Sequence, residues 1–173
     1  MKKVVSTVLT VVMLALLIPG ITGCTKPSKD WYKSTLDAYR TAIQNGSSEL
    51  ALESGDFVFA AELLDKNNEV GYMLVDLDGD KTDELLIGFN DGSNVTKFTD
   101  VIVWKNISGP DQVLSGTNGY YTYLCASNVV CHDSWYGSNT ERKFMTWDGK
   151  ECVFTYIDGE GKYLPMKWEL TSF

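Results

Sequence analysis

Histidine is nearly absent from this sequence. The chain of 173 residues contains one, His132, which is followed directly by Asp133 and Ser134. Successive side chains on a strand point to opposite faces, so these three neighbours cannot form a Ser-His-Asp triad among themselves. No other pattern marks a serine and an acid that would complete one. We interpret His132 as an ordinary residue at a strand end, and we expect the protein not to be an enzyme.

Basic residues are scarce as well. There are 15 Lys and Arg against 23 Asp and Glu, which gives a formal net charge of −8. A surface of this sign argues against binding to nucleic acid and against docking to a membrane through a basic patch. It is compatible with cation binding, with a basic partner, or with solubility alone.

The chain has only four cysteines. Cys125 and Cys131 flank a predicted turn at 126–130, which would place them opposite each other across a hairpin. A disulfide between them could form in an oxidising exterior, and buried free thiols are the alternative. We expect Cys152 to be a free thiol in the core. The spacing of these three cysteines and His132 fits no zinc module.

Long apolar runs are missing except at the N-terminus. Met1-Lys2-Lys3 is a short positive segment, and residues 4–19 form an uncharged, largely apolar run of signal-peptide length. Residues 21–24, Ile-Thr-Gly-Cys, follow this run and resemble the lipobox of bacterial lipoproteins. The alternatives are a plain signal peptide or a transmembrane anchor, although the run is short for a spanning helix.

The lipobox resemblance implies cleavage before Cys24 and attachment of a diacylglyceryl group to its thiol. The mature chain would then be held at the cell membrane on the extracytoplasmic face. We divide the chain into a lipoprotein signal peptide (1–23), a polar tether (24–30) and one domain (31–173), which is long enough to form a core.

The most informative stretch is an acidic loop between two apolar runs. Asp76, Asp78 and Asp80 occupy loop positions 1, 3 and 5, and Glu84 occupies position 9. A tightly curled loop can point alternate carboxylates at one hard cation, and the carbonyl oxygen of Thr82 at position 7 would add a ligand. Calcium takes about 6–8 oxygens in irregular geometry, so we predict Ca²⁺ at this loop. The alternative is an acidic turn without an ion.

The apolar runs on both sides predict a strand–loop–strand arrangement, unlike an EF-hand. The loop resembles the calcium loops of integrin-type propeller blades. It resembles more closely a run in uncharacterised exported proteins of Gram-positive gut bacteria, in which a glycine stands where this chain has Lys81. Lys81 replaces a residue suited to positive φ and places a cation beside the ion.

Residues 31–45 predict a helix, with apolar side chains spaced three and four apart, Asp30 as its cap and Gly46 at its end. Residues 47–52 and 57–64 are interpreted as shorter helical pieces, and 66–68 as a turn. From residue 71 onward the pattern favours strands at 71–76, 84–89, 100–105, 120–125, 128–132, 143–147, 151–157 and 165–169. The predicted fold class is α+β, with an N-terminal helical segment packed on one mostly antiparallel β-sheet.

These patterns indicate a surface-anchored lipoprotein with a structural calcium loop, acting as a binding module for an unknown protein or glycan partner. The alternative is a hydrolase acting on cell-wall or glycan material. That class would need two acids in a cleft outside the loop, one with a raised pKa. The aromatic pairs Tyr120-Tyr121 and Trp135-Tyr136, with Trp168, could line a sugar groove, although sheet packing is the commoner use of such residues.

Overall fold

The computed structural model describes residues 30–50, 52, 57–105, 109–116, 120–136 and 139–173. The predicted signal peptide, the lipid-accepting Cys24 and most of the tether lie outside these residues. Within the described part of the chain, no helix is long and apolar enough to cross a membrane.

Helix α1 spans Lys33–Asn45 and ends as predicted at Gly46, which adopts a left-handed conformation at φ 64°. The amide of Gly46 donates to the carbonyl of Ile43, and the amide of Ser47 donates to Ala42. Such bonds satisfy carbonyl groups that the last helical turn leaves open. The predicted Asp30 cap is wrong, because Tyr32 occupies the cap position and no side chain caps the helix.

The segments after α1 contain less helix than predicted. Residues 47–50 form no helix, and within 57–64 only Ala61–Leu64 forms a single 3₁₀ turn. Residues 57–60 are not helical, and Phe59 and Ala60 are buried. Apolar residues in this segment fit a buried extended chain as well as a helix, since short apolar runs do not distinguish the two.

Nine strands of the described chain form one sheet. They are β1 (Glu69–Val75), β2 (Glu84–Asn90), β3 (Lys97–Lys105), β4 (Gly109–Ser115), β5 (Tyr121–Leu124), β6 (Val130–Tyr136), β7 (Asn139–Asp148), β8 (Val153–Ile157) and β9 (Thr171–Ser172). Their order is β8-β7-β6-β5-β3-β2-β1-β9, with β4 also paired to β3. Every pairing between these strands is antiparallel. The prediction of a mostly antiparallel sheet with a helix is therefore confirmed, whereas β4 was missed and 165–169 is not a strand.

Strand β2 is buried along its whole length, and its alternate side chains enter two different apolar clusters. Leu85, Ile87 and Phe89 share the first cluster with the helix residues Tyr32, Leu36, Tyr39 and Ala42. Leu86 shares the second cluster with residues of the other half of the sheet, including Leu124, Val130, Met145 and Trp147. Because β2 and β7 are far apart in the strand order, this second cluster requires the sheet to fold over on itself.

The segment between β8 and β9 returns across the sheet. The amide of Met166 and the indole N–H of Trp168 both donate to the carbonyl of Leu124, the latter at 2.9 Å. The amide of Trp168 donates to Thr96 Oγ1 at 2.7 Å. Trp168 therefore ties the C-terminal segment to the start of β3 and the end of β5, and it brings β9 alongside β1.

Candidate metal centre

The acidic loop connects β1 to β2, as the flanking apolar runs predicted. The two strands are paired from Glu69 opposite Asn90 to Val75 opposite Glu84, so the loop starts at Asp76 and closes where the ladder ends. Leu77, the one apolar side chain inside the loop, is 6% exposed and joins the second apolar cluster. Burial of Leu77 fixes the loop to the sheet while its neighbours remain near solvent.

The structure brings three of the predicted ligands together. Asp76, Asp78 and Asp80 each offer a carboxylate oxygen, and these three oxygens all lie within 4.8 Å of one another. Asp78 and Asp80 are exposed, and Asp76 is partly buried. A cluster of this kind could hold a metal ion, and it concentrates three negative charges in a small volume.

The loop's own amides hold these carboxylates in place. Asp76 accepts from the amides of Gly79 and Lys81 at 2.8 and 2.9 Å. Asp78 Oδ1 accepts from the amide of Asp80 at 3.0 Å, and Asp80 Oδ1 accepts from the amide of Thr82 at 2.6 Å. These bonds order the side chains without an ion. Each carboxylate oxygen has two lone pairs, so an oxygen that accepts one amide hydrogen can still bind a cation.

Lys81 occupies a strained position in this loop. Its φ is 74°, in the left-handed region that disfavours residues with a Cβ. The amide that this conformation presents is the one that bonds to Asp76 Oδ2. The prediction that the lysine stands at a position suited to glycine is therefore confirmed.

Glu84 lies beneath the loop and is 4% exposed. Its Oε2 accepts from the amide of Leu77 at 2.8 Å. Burial raises the pKa of Glu84 to about 8, the Leu77 amide opposes that rise, and the three aspartates add to it. Glu84 is not one of the three clustered carboxylates. Its role as a ligand stays a prediction, as does that of the Thr82 carbonyl oxygen.

Two distant connections of the sheet meet the loop. The side-chain amide of Asn128, between β5 and β6, donates to the carbonyl of Asp76 at 2.6 Å. The backbone amide of Gly149, between β7 and β8, donates to Asp78 Oδ2 at 2.9 Å. A third contact comes from Tyr32 at the start of α1, whose hydroxyl donates to the carbonyl of Asp83 at 3.0 Å. The loop is thus a junction of four parts of the fold.

The donor chemistry of this site fits a hard divalent cation. All the side-chain donors are carboxylate oxygens, which suit calcium and magnesium better than softer metals. Clustered carboxylates repel one another, and a bound divalent cation would relieve that repulsion. Two of the three carboxylates are solvent-exposed, so an ion would have direct access to the site.

Sequence reasoning missed Asn128 and Gly149 as residues of this junction. Gly149 lies in the hairpin turn between β7 and β8, and its contact with Asp78 spans 71 residues. Long-range contacts of this type leave no local signal in a single sequence.

The cysteines are placed differently from the sequence expectation. Cys131 lies opposite Tyr123, and Leu124 lies opposite Val130. Cys125 and Cys131 are therefore diagonal neighbours across the hairpin and do not face each other, and both are buried free thiols. Their side chains nevertheless meet: burial raises the pKa of both thiols, and a hydrogen bond between the two adds to the rise at Cys131. Cys152 is free as expected, but it is exposed in the β7–β8 turn and does not lie in the core.

His132 lies within β6, not at a strand end. Its Nδ1 is 3.1 Å from Thr122 Oγ1 on the neighbouring strand, and its ring stacks on Tyr120 with centroids 6.2 Å apart. Burial lowers its pKa. These contacts give His132 a packing role in the sheet.

Outside the loop, the described acid with a raised pKa is Asp100 on β3. Burial raises its pKa to about 7, and the side chain is 1% exposed. It does not line any of the larger surface cavities of the described chain. Trp168 lines a cavity of about 740 Å³ with Glu69 and Asn90, while most of its polar contacts hold the C-terminal segment in place.

Comparisons of this chain with protein-family models, with curated proteins and with solved structures found no match. The site geometry and the sequence are therefore the basis for a functional proposal.

Proposed function

We propose that this protein is a bacterial surface lipoprotein whose single domain is stabilised by Ca²⁺ at the β1–β2 loop. It would act as a binding module outside the cytoplasm, held to the membrane by lipid on Cys24. The convergence of Asp76, Asp78 and Asp80 within 4.8 Å is the observation that carries the calcium part. The anchor rests on the lipobox sequence, which lies outside the described residues.

The contacts of the loop support a structural role for the ion. Asp76 and Asp78, two of the proposed ligands, also bind Asn128 and Gly149 from the other half of the sheet. An ion that fixes these two aspartates would fix the attachment of both hairpins as well. The apolar cluster shared by α1 and β2 supports the further expectation that the helical segment packs on the sheet.

The ligand set would comprise the three aspartates, Glu84 and the carbonyl oxygen of Thr82, completed by water. Burial raises the pKa of Glu84 to about 8 and the three aspartates raise it further, so a bound cation would oppose this rise. Calcium is favoured over magnesium because a loop of mixed carboxylate and carbonyl oxygens does not impose a strict octahedron.

Calorimetric titration of the mature chain, starting at residue 24 and carrying Cys24→Ser, tests the ion. We expect saturable binding of one Ca²⁺, weaker binding of Mg²⁺, and a higher melting temperature with calcium than with a chelator. Asp78→Ala should abolish the calcium response. If millimolar calcium leaves both the heat signal and the melting curve of the unmutated chain unchanged, the calcium proposal is wrong.

Two further variants separate charge from loop structure. Asp80→Asn keeps an oxygen that can accept from the Thr82 amide, but it removes one charge from the cluster. It should weaken calcium binding while leaving the calcium-free melting temperature unchanged or higher, because repulsion is relieved. Asp65→Asn is the matched control, since Asp65 also accepts an amide hydrogen in an exposed turn and lies outside the cluster.

The anchor is tested separately in a bacterial host. The full chain should partition into detergent-soluble membranes and carry lipid, and Cys24→Ser should block both lipid attachment and cleavage before residue 24. Release of the unmutated chain into the medium without lipid would contradict the anchor and leave the calcium result unaffected.

A further inference from the structure

Three strands of the described sheet pair on one side only, and two of them have features that hinder pairing with a further strand. Strand β9 is two residues long. Strand β4 starts with Gly109 and Pro110, and its next residue, Asp111, is charged. Short length, proline and charge are the usual means by which proteins protect sheet edges from association.

Strand β8, at the end of the strand order, has none of these features. Its sequence, Val153-Phe-Thr-Tyr-Ile157, contains no proline, no glycine and no charge, and all five residues favour strands. Among the described residues it pairs only with β7. Val153 is 48% exposed and Tyr156 is 66% exposed, so large apolar surface lies at this open edge.

The chain that follows β8 does not run along this edge. Gly159 packs directly against the ring of Phe144 on β7, at a distance where an added Cβ would clash. Tyr163 contacts the same ring, with centroids 6.1 Å apart. Pro165 then forms an isolated bridge with Cys125 at the end of β5. The segment therefore passes across a face of β7 toward β5 and leaves the outer edge of β8 open.

We propose that β8 is a homodimerisation edge, at which β8 of one copy pairs antiparallel with β8 of a second copy about a two-fold axis through Thr155. The two sheets would then join into one continuous sheet through main-chain hydrogen bonds, as in strand addition. A symmetric dimer of this kind uses the same surface on both copies.

The residues of β8 are complementary to themselves in this register. Val153 lies opposite Ile157 of the second copy, Phe154 opposite Tyr156, and Thr155 opposite its own counterpart. Aromatic and β-branched residues that face each other across strands stabilise pairing. This register can form whichever residues of β8 point their amides toward the outer edge. If Thr155 does so, the two copies of Thr155 exchange main-chain hydrogen bonds. Otherwise Phe154 of each copy exchanges them with Tyr156 of the other copy.

Charge favours a second copy at this edge over other surfaces of the chain. Two copies with a net charge of −8 each repel one another, and an uncharged strand is where they can approach at the lowest cost. The charged residues nearest the strand, Glu151 before it and Asp158 after it, are both acidic, so the contact is confined to the five uncharged residues of β8.

The assembly would stop at two copies. The two-fold contact occupies the outer edge of β8 in each copy. This is the only long unprotected edge among the described strands. The opposite end of the sheet, β9, offers two residues and cannot continue the array. Closure distinguishes this contact from the open-ended pairing of aggregating strands.

The experiment co-expresses two differently tagged copies of the full chain and measures capture of one copy by the other after detergent extraction. The unmutated pair should be captured together, with sedimentation giving twice the mass of a single copy. Thr155→Lys in both copies places two lysines across the two-fold axis, and Thr155→Glu in both places two glutamates there. Each should reduce capture at least roughly fivefold, since like charges directly opposite are destabilising.

Mixing the two variants provides the decisive result. A Thr155→Lys copy with a Thr155→Glu copy should restore capture, because opposite charges then meet at the axis. Thr171→Lys on β9 is the matched control, an exposed threonine at the other sheet edge, and it should leave capture unchanged. Retained melting temperatures show that each variant still folds.

Several outcomes would overturn the proposal. If the unmutated chain is a monomer, the dimer proposal is wrong, even if the β8 edge binds a foreign peptide. Capture that survives Thr155→Lys in both copies would place any dimer contact elsewhere. Assemblies larger than two would contradict closure, and failure of the mixed pair to recover would contradict the two-fold register.

Discussion

Replacement of Asp100 by asparagine should stabilise this protein at neutral and alkaline pH. The Asp100 carboxylate accepts from the hydroxyl of Thr99 at 2.7 Å and from the side-chain amide of Gln112. None of the ion pairs in the described chain includes it. Burial raises its pKa to about 7, and the hydrogen bonds only partly offset that effect.

The magnitude follows from the difference between the folded and unfolded pKa. An unfolded aspartate titrates at 3.8, and the folded one titrates at about 7. Each tenfold change in an acid dissociation constant corresponds to about 1.4 kcal/mol, so ionisation of Asp100 costs about 4 kcal/mol more in the folded chain. Relaxation and water penetration would reduce the observed effect to roughly 2–4 kcal/mol.

The sign of the pH dependence is set by which state holds the proton. Between pH 3.8 and about 7 the folded chain keeps a proton on Asp100 that the unfolded chain has lost. The stabilising contribution is therefore complete below pH 3.8, declines as pH rises, and is lost above about 7. Asparagine resembles the neutral acid and removes this decline.

The assay is urea denaturation followed by tryptophan fluorescence at pH 4.5, 6 and 8, with a chelator present throughout. The difference in unfolding free energy between Asp100→Asn and the unmutated chain should favour the variant by about 1 kcal/mol or less at pH 4.5 and by roughly 2–4 kcal/mol at pH 8. That gain corresponds to a rise in melting temperature of roughly 10 °C.

Asp111→Asn is the control, because Asp111 lies at the exposed edge strand β4 and pairs with Lys105. It should change the unfolding free energy by less than about 0.5 kcal/mol at every pH. If Asp100→Asn destabilises the protein by the same amount at all three pH values, the carboxylate is held by its hydrogen bonds and the burial argument is refuted.

Three further substitutions test other parts of the fold. Lys81→Gly should raise the calcium-free unfolding free energy by about 1 kcal/mol in urea denaturation, because it removes a Cβ from a left-handed position; an unchanged midpoint would contradict the strain. Gly71→Ala should expose the C-terminus to limited proteolysis and lower stability by about 1–3 kcal/mol, since its Cβ would lie 2.5 Å from the carbonyl oxygen of Thr171; a resistant C-terminus would show that β9 can adjust. Tyr32→Phe should cost about 1 kcal/mol in thermal unfolding by leaving the Asp83 carbonyl without its hydroxyl donor; no loss would mean that water replaces the hydroxyl.

Local patterns predicted the elements whose signals lie within a few residues. The apolar stripe and Gly46 predicted α1 and its end, because helix periodicity and left-handed glycine act within one turn. Apolar runs on both sides of the acidic loop predicted β1 and β2. The resemblance of the loop to loops that carry glycine at this position also indicated the positive φ that the structure has at Lys81.

Local patterns failed where packing decides the conformation. Residues 57–60 were predicted as helix and lie buried without helical structure, because the same apolar residues serve both states. Strand β4, with Pro110 and Asp111, has an edge-strand composition that resembles a loop.

By itself the sequence determined the apolar run near the N-terminus, the acidic charge and the spacing of carboxylates in the β1–β2 loop. Only the tertiary structure decided that Asn128 and Gly149 join that loop, that Cys125 and Cys131 are diagonal neighbours, and that β8 pairs on one side only among the described strands. The physical reason is that register and sheet order arise from contacts between residues far apart in the chain, which the folded core selects and no local pattern encodes.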